Sequence, residues 1–200
     1  MKPIVTIFES IHPCGINILK EFASVKFALG VSRYEQLKLS SKSSVIVIKS
    51  IVKTDEELLV NSPNLQIVAR AGTGTDNINL EEAKRLGVKV LTVPSANAIS
   101  AAEFTMMQVL FLCRRLSEVI SFVQKGDYRR QLLEGRELQK MVVGLVGLGD
   151  VGMAVMERLT AFGCKIIGWD PMPKNVNKFI SLGGTLASSF DEMLPNIDIL

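Results

Sequence analysis

Three glycines and one acid, spaced along a single stretch of the chain, have the clearest chemical meaning in this sequence. Gly147, Gly149 and Gly152 follow the spacing G-x-G-x-x-G, and Asp170 comes about 20 residues later. Glycines at this spacing allow a tight turn and the close approach of a pyrophosphate, which the N-terminus of a following helix can bind. An acid at this distance accepts hydrogen bonds from ribose hydroxyls and repels a 2′-phosphate. The pattern therefore predicts binding of NAD rather than NADP.

The residues around the glycines supply the strand–helix–strand context that this pattern needs. Val142–Val146 and Lys165–Trp169 are apolar enough for two buried strands, and residues 151–162 place apolar side chains on one helical face. The alternative is a glycine-rich turn that only packs, but the strands, helix and acid together favour nucleotide binding. The predicted cofactor contacts in this stretch are Gly147, Gly149, Asp150, Val151, Gly152 and Asp170.

Two side chains in the same stretch fit the prediction less well. The carboxylate of Asp150 would lie close to a pyrophosphate and repel it. Met156 is bulky one turn after Gly152, where close packing of helix on sheet favours a small residue. Both are expected to weaken the affinity for the cofactor more than they affect the fold.

Composition excludes several classes of function. With 48% hydrophobic and 22% charged residues, the chain is typical of a folded globular protein. A net charge of +3, from 23 basic and 20 acidic residues, does not form the basic stripe of a nucleic-acid binder. Cys14, Cys113 and Cys164 form no CxxC pair, so we expect free thiols and no metal site. The most apolar segment, Phe104–Cys113, is too short to cross a bilayer, and we expect a cytoplasmic protein.

Strand and helix patterns alternate through the first half of the chain. This alternation predicts an α/β fold, with a flavodoxin-like parallel sheet in a substrate (catalytic) domain over residues 1–97. The predicted strands are Pro3–Phe8, Val45–Ile48, Leu65–Ala69 and Val88–Val93. The predicted helices are Cys14–Phe22, Asp55–Val60 with a Thr54 cap, and a helix that opens at Asn79.

The second half is predicted to be an incomplete NAD-binding Rossmann domain over residues 98–200. A single helix at Ser100–Leu116 is apolar almost all round, so it should be buried on several sides. It is either a plain core helix or part of a subunit interface, which would make the protein a homodimer or higher oligomer. Residues 182–187 and 197–200 read as a weak strand and the opening of another. The domain is expected to end at the start of its third strand, which leaves the strand at Val142 as an uncovered sheet edge.

With these motifs in view, the chain resembles the D-isomer-specific 2-hydroxyacid dehydrogenases, and within them the enzymes that act on phosphoglycerate. The resemblance runs from about Val45 to the end of the chain. It is carried by IKSIVKTDEELL (48–59), VARAGTGTDNINLEEAKRLGVKVLTVPSANAISAAEF (68–104), GDYRRQLLEGRELQKMVVGLVGLGDVG (126–152) and IIGWDP (166–171).

The resemblance implies oxidation of a small 2-hydroxy acid to its keto acid, with hydride transfer to NAD. It implies that the loop containing Ala71 and Gly72 offers backbone N–H groups to the substrate carboxylate, and that Thr73 also lies against the cofactor. A tight turn that needs glycine is the alternative for this loop. For a phosphorylated substrate the candidate cations are Lys49 and Arg130, with Lys53 weaker, and each can equally be a solvated surface charge.

The family's catalytic Arg, Glu and His would all fall beyond Leu200. The single histidine, His12, does not match the catalytic position and is interpreted as a surface-loop residue. The 200 residues alone are therefore predicted to be inactive. The alternatives are a dehydrogenase for another 2-hydroxy acid, such as glycerate or lactate, and a non-catalytic relative that only binds dinucleotide.

Overall fold

The computed structural model describes residues 2–172 and 174–200, with the side chains of Arg130 and Leu132 outside the description. The chain divides into two compact units, Met1–Ala96 and Asn97–Leu200. Each has its own parallel sheet and its own hydrophobic core. The predicted α/β class with parallel sheets is confirmed.

The first unit is built on a parallel sheet with the strand order β2-β1-β3-β4-β5. This is the flavodoxin-like order, in which the chain direction along the sheet reverses between β1 and β3. Its strands are β1 (Ile4–Ile7), β2 (Ser24–Phe27), β3 (Val45–Ile48), β4 (Ile67–Arg70) and β5 (Lys89–Leu91). Ile48 pairs with Arg70 and Val47 with Ile7, so the segments after β1, β3 and β4 leave the sheet at one edge.

The helices of the first unit cover both faces of this sheet. They are α1 (Pro13–Phe22), α2 (Arg33–Ser40), α3 (Glu56–Val60) and α4 (Leu80–Arg85). Val5, Ile7 and Val47 belong to one core cluster and Ile46 and Ile48 to another, as expected when neighbouring residues of a buried strand face opposite sides.

The start of α3 differs by one residue from its prediction. Asp55, not Thr54, caps the helix, because its carboxylate accepts the Leu58 N–H at 3.1 Å. Thr54 instead forms a parallel bridge with Ile78. The prediction also missed β2 and α2, whose side chains are mostly exposed or half-buried and so carry little periodic signal.

The second unit is built on β6 (Val142–Val146), β7 (Lys165–Trp169) and β8 (Thr185–Leu186), parallel and in the order β6-β7-β8. On the free side of β6, Ile199 forms a parallel bridge with Val143, and the Gly144 N–H donates to the Ile199 carbonyl at 2.8 Å. The expectation that the domain ends at the start of its third strand is therefore wrong. The third strand is present and a fourth begins, so β6 is not an uncovered edge.

The helices of the second unit are α5 (Ala98–Cys113), α6 (Leu116–Gln124), α7 (Asp150–Ala161), α8 (Val176–Ser181) and α9 (Phe190–Met193), with 3-10 turns at Arg130–Leu133, Leu138–Lys140 and Leu194–Asn196. Of these helices, α7 contacts both β6 and β7, and α5 packs on α7. The predicted helix over residues 100–116 is in fact two helices. Arg115 adopts a left-handed conformation, with φ of 51°, and this breaks the helix between α5 and α6.

The helix α5 is also less buried than its composition predicted. Ala102, Met106 and Val109 lie in the core of the second unit, but Phe104 is 59% and Leu112 71% exposed. One face of α5 therefore packs inside the unit and another apolar face is open.

Candidate functional site

Of the three glycines at G-x-G-x-x-G spacing, Gly147 and Gly152 have a steric reason to be glycine. Gly147 directly follows β6 and has φ of 95°, a left-handed conformation that other residues rarely adopt. Its N–H donates to the Trp169 carbonyl at 2.8 Å, which continues the pairing of β6 with β7 into the turn. A Cβ on Gly152 would lie 2.0 Å from the Gly147 carbonyl oxygen, so only glycine lets α7 start this close to the turn.

Gly149 has a different environment, because a Cβ built there would meet nothing within 4 Å. Gly149 is the residue before α7, and among the described residues no side chain caps this end of the helix. The N-terminus of a helix carries outward-pointing N–H groups and a partial positive charge. Open space above Gly149 and an uncapped helix start are together suited to a phosphate group.

Asp170 lies beside this turn, directly after β7. Its Oδ2 accepts the Leu148 N–H at 2.7 Å and its Oδ1 accepts the Met172 N–H at 2.8 Å. These backbone hydrogen bonds hold the pKa of the Asp170 carboxyl below its ordinary range. The structure therefore brings Asp170 and the glycines together, and the carboxylate is fixed in its charged form.

The two residues that fitted poorly have structural explanations. Met156 is fully buried in the core cluster that includes α5, so its bulk fills space between helices. Asp150 lies in the first turn of α7, where a carboxylate interacts favourably with the helix dipole. Val151 follows it and is 39% exposed, so this part of the helix surface is accessible.

The second candidate site is the loop after β4 in the first unit. The Ala71 N–H donates to the Ile48 carbonyl at 2.8 Å, and the Gly72 N–H donates to the Arg70 carbonyl at 2.9 Å. These two N–H groups therefore hold the loop, and the contact of the loop with a substrate carboxylate stays a prediction. Thr73 is exposed, and its Oγ1 donates to the Val93 carbonyl at 3.3 Å. A Cβ on Gly74 would lie 2.6 Å from Nη1 of Arg70, so a side chain at Gly74 would displace the end of the Arg70 side chain.

The geometry gives less support to the cations predicted to bind a substrate phosphate than to the loop after β4. The side chain of Lys49 is exposed, directly after β3. Lys53 lines an open depression of about 440 Å³ together with Asp55 and Asp76, so the depression carries more acidic than basic charge and does not suit a phosphate. The side chain of Arg130 lies outside the described part of the chain.

Glu9 is a residue of this region that sequence reasoning missed. It follows β1, is 9% exposed, and accepts N–H groups from the loop after β3. The donors are Lys49 at 2.7 Å, Val52 at 3.1 Å, Ser50 at 3.2 Å and Ile51 at 3.2 Å. Burial alone would raise the pKa of Glu9, but these four donors outweigh it and lower the pKa. The side chain of Glu9 thus occupies the position beyond the carboxyl ends of β1 and β3, where sheets of this order commonly bind ligands.

Arg70, the last residue of β4, was also missed. It is 8% exposed, although arginine is seldom buried without a partner. Glu9 and Arg70 could have been noticed in the sequence, because each is a charged residue at the end of an apolar strand. Glu9 comes after β1, and Arg70 is the last residue of β4. His12, by contrast, caps α1, because its Nδ1 accepts the Cys14 N–H at 3.2 Å.

A search of the described residues finds no helix long and apolar enough to cross a membrane. Cys14, Cys113 and Cys164 are free thiols, and burial raises the pKa of Cys113 and of Cys164.

Comparisons of this chain with known proteins agree on one family. The family model for the catalytic domain of D-isomer specific 2-hydroxyacid dehydrogenases matches residues 5–194. A D-3-phosphoglycerate dehydrogenase of Methanocaldococcus jannaschii is 33% identical over 201 residues, covering 100% of this chain and 38% of that protein. A hydroxypyruvate reductase of Thermotoga maritima is 38% identical over 137 residues, covering 68% of this chain and 45% of that protein.

Solved structures agree with these sequence matches. The D-lactate dehydrogenase of Aquifex aeolicus, complexed with NAD and lactic acid, has a TM-score of 0.81 and 26% identity. The match covers 98% of this chain and 59% of that one. The chain therefore spans less than two thirds of the length of the relatives that it matches.

Proposed function

This chain belongs to the D-isomer specific 2-hydroxyacid dehydrogenase family, and we propose that it forms the substrate domain and most of the NAD site of such an enzyme. Residues 1–97 are proposed as the substrate domain and residues 98–200 as part of the NAD-binding domain. The observation that carries the proposal is the arrangement of Gly149, the uncapped start of α7 and the charged Asp170 around one turn.

NAD is the proposed cofactor, with its pyrophosphate at Gly147–Gly152 and its adenosine ribose at Asp170. A fixed carboxylate accepts hydrogen bonds from the two ribose hydroxyls and repels the 2′-phosphate of NADP. A structural relative that is complexed with NAD supports this assignment. Thr73, Asp150 and Val151 are proposed as further contacts of the cofactor, as the family resemblance implies.

The proposed substrate is 3-phosphoglycerate, which would be oxidised to 3-phosphohydroxypyruvate in serine biosynthesis. The sequence match with phosphoglycerate dehydrogenases supports it. The loop Ala71–Gly74 would bind the carboxylate, and Lys49 and Arg130 the phosphate. Lysine gives a phosphate a point charge, without the two-pronged contact of arginine.

Another small 2-hydroxy acid, such as glycerate or lactate, is the second candidate substrate. The match with a hydroxypyruvate reductase at 38% identity favours this candidate. The family resemblance implies that the catalytic Arg, Glu and His lie outside these 200 residues, and we propose that the 200 residues alone bind their ligands without turnover. The open apolar face of α5, with Phe104 and Leu112, is proposed as part of a homodimer interface.

The role of Asp170 can be tested by replacing it with serine. Asp170→Ser removes the carboxylate that the ribose hydroxyls would contact, and a hydrogen bond to a charged group contributes about 1.5–3 kcal/mol. We therefore expect the dissociation constant for NADH to rise about tenfold or more, and the preference over NADPH to be lost. Isothermal titration with each nucleotide measures both.

Asp150→Asn is the matched control, because it removes an acid from the same turn without touching the ribose position. We expect it to retain or increase the affinity for NADH, since a negative charge near the phosphates is removed. Equal losses in Asp170→Ser and Asp150→Asn would argue against a specific ribose contact. An unchanged preference for NADH in Asp170→Ser would contradict the proposed function.

A further inference from the structure

Arg70 is a buried cation that the proposed function does not use. Its Nη2 lies 3.2 Å from Oδ1 of Asp76, but the Asp76 side chain is 77% exposed. An ion pair with an exposed carboxylate is screened by water and does little to offset the burial of a charge. The pair with Asp76 is therefore not a sufficient reason for a buried arginine at this position.

The other nitrogens of Arg70 reach two different loops. Its Nε donates to the Lys49 carbonyl at 2.8 Å, in the loop after β3. Its Nη1 is buried and has no hydrogen-bond partner among the described residues. This nitrogen lies under Gly74, where an added Cβ would be 2.6 Å away. The planar guanidinium of Arg70 thus contacts the loop after β3 and lies against Gly74 in the loop after β4.

The backbone of Lys49 is fixed from both sides. Its N–H donates to Oε1 of Glu9 at 2.7 Å, and its carbonyl accepts from Arg70 and also from Nδ2 of Asn77 at 3.0 Å. Glu9, Arg70 and Asn77 come from three separate segments of the first unit. They hold the loop that presents the exposed Lys49 side chain at a fixed place relative to the loop at Gly74.

We propose that Arg70 is a positioning residue that sets the spacing between two anion sites, the loop at Gly74 and the side chain of Lys49. This inference rests on the proposed function, since it takes the ligand to be a 2-hydroxy acid with anionic groups at both ends. The buried cation of Arg70 lies against Gly74 beside the Asp76 carboxylate, whose Oδ1 would be 2.8 Å from a Cβ there, so Arg70 offsets the negative charge at this loop. The unpartnered Nη1 is the observation that separates this role from that of a simple core ion pair.

The test follows backbone amides by NMR in the 200-residue chain and in four variants. Arg70→Met removes the guanidinium, and Arg70→Lys keeps the charge but loses the planar fork. Gly74→Ala leaves Arg70 intact but places a methyl group against its Nη1. Lys89→Met is the control, because Lys89 is an exposed cation that pairs with Ile67 at the opposite end of β4.

The first measurement is hydrogen exchange without ligand. In Arg70→Met, Arg70→Lys and Gly74→Ala we expect exchange at Lys49 and at Ala71 to become about tenfold faster together, which is a loss of about 1.4 kcal/mol in local opening. Lys89→Met should exchange as the wild type does. Faster exchange in one loop only, or the same change in Lys89→Met, would overturn the inference.

The second measurement is a titration with 3-phosphoglycerate and with D-glycerate. We expect Arg70→Met, Arg70→Lys and Gly74→Ala to bind 3-phosphoglycerate at least about tenfold more weakly than the wild type does. The loss of affinity for D-glycerate should be smaller, because D-glycerate lacks the second anionic group. If the wild type binds and the variants bind equally well, the inference is wrong and the proposed function stands. If the wild type binds neither acid but binds NADH, the proposed substrate is wrong, and the exchange result alone decides whether Arg70 positions the two loops.

Discussion

Replacing Gly152 with alanine is expected to destabilise the second unit and to remove NADH binding. Alanine is normally better than glycine inside a helix by about 1 kcal/mol. Here the new Cβ would lie 2.0 Å from the Gly147 carbonyl oxygen, so α7 or the turn must move. Overpacking of this kind costs about 1–3 kcal/mol or more, and we expect a net loss near 2 kcal/mol in the free energy of unfolding.

The same displacement should move the N–H groups at the start of α7 away from the phosphates. Loss of one or two charge-assisted hydrogen bonds corresponds to an increase of about a hundredfold in the dissociation constant for NADH. Urea unfolding and isothermal titration of Gly152→Ala measure the two effects. A variant as stable as the wild type would mean that α7 does not start as close to the turn as this structure has it.

Gly149→Ala is the matched control for this prediction. A Cβ at Gly149 meets nothing within 4 Å, and its φ of −75° suits alanine, so stability should fall by no more than about 1 kcal/mol. The methyl group would nevertheless lie where the pyrophosphate approaches, so NADH affinity should still fall strongly. Loss of binding with little loss of stability in Gly149→Ala, and loss of both in Gly152→Ala, would separate the roles of the two glycines.

Replacing Glu9 with glutamine is expected to have the largest effect on the stability of the first unit. The buried carboxylate accepts N–H groups from four consecutive residues, Lys49 to Val52. Glutamine keeps one acceptor oxygen but turns an NH₂ group toward these donors, which leaves some of them unpaired. Unpaired buried donors cost about 1–3 kcal/mol each, and we expect Glu9→Gln to lower the free energy of unfolding by about 3 kcal/mol at pH 7.

The pH dependence of this effect has a definite sign. The folded state holds the pKa of Glu9 below its ordinary value of 4.5. The stability that the ionised carboxylate contributes is therefore complete above that value and is lost as the pH falls through the lower, folded-state pKa. The difference between the wild type and Glu9→Gln should shrink as the pH is lowered below about 4.5 in urea unfolding experiments. Glu21→Gln, at an exposed position of α1, should show neither effect.

The sequence was sufficient for the elements with strong apolar periodicity. The strands at Val45–Ile48, Val142–Val146 and Lys165–Trp169 were predicted with their observed bounds, because buried parallel strands read as short apolar runs. The turn of three glycines and Asp170 was predicted as a unit, because each residue has a local reason to be there. These features depend on short stretches of chain.

The features that sequence reasoning missed depend on contacts between distant segments. Glu9 contacts a loop about 40 residues away, and Arg70 joins two loops that follow different strands. The break at Arg115 could not be predicted from propensity, because arginine is a good helix former. The pairing of Ile199 with Val143 depends on the sheet order, and residues 197–200 alone only indicated that a strand begins there.

The most direct test of the central claim is a titration of the wild-type chain with NADH and with NADPH, followed by the emission of Trp169. Trp169 is the only tryptophan and it adjoins Asp170. The centroid of its ring lies 5.8 Å from the centroid of the Phe190 ring. We expect saturable quenching by NADH, and binding of NADPH weaker by about tenfold or more. No quenching by either nucleotide in a folded chain, or equal binding of both, would contradict an NAD site formed by the glycine turn and Asp170.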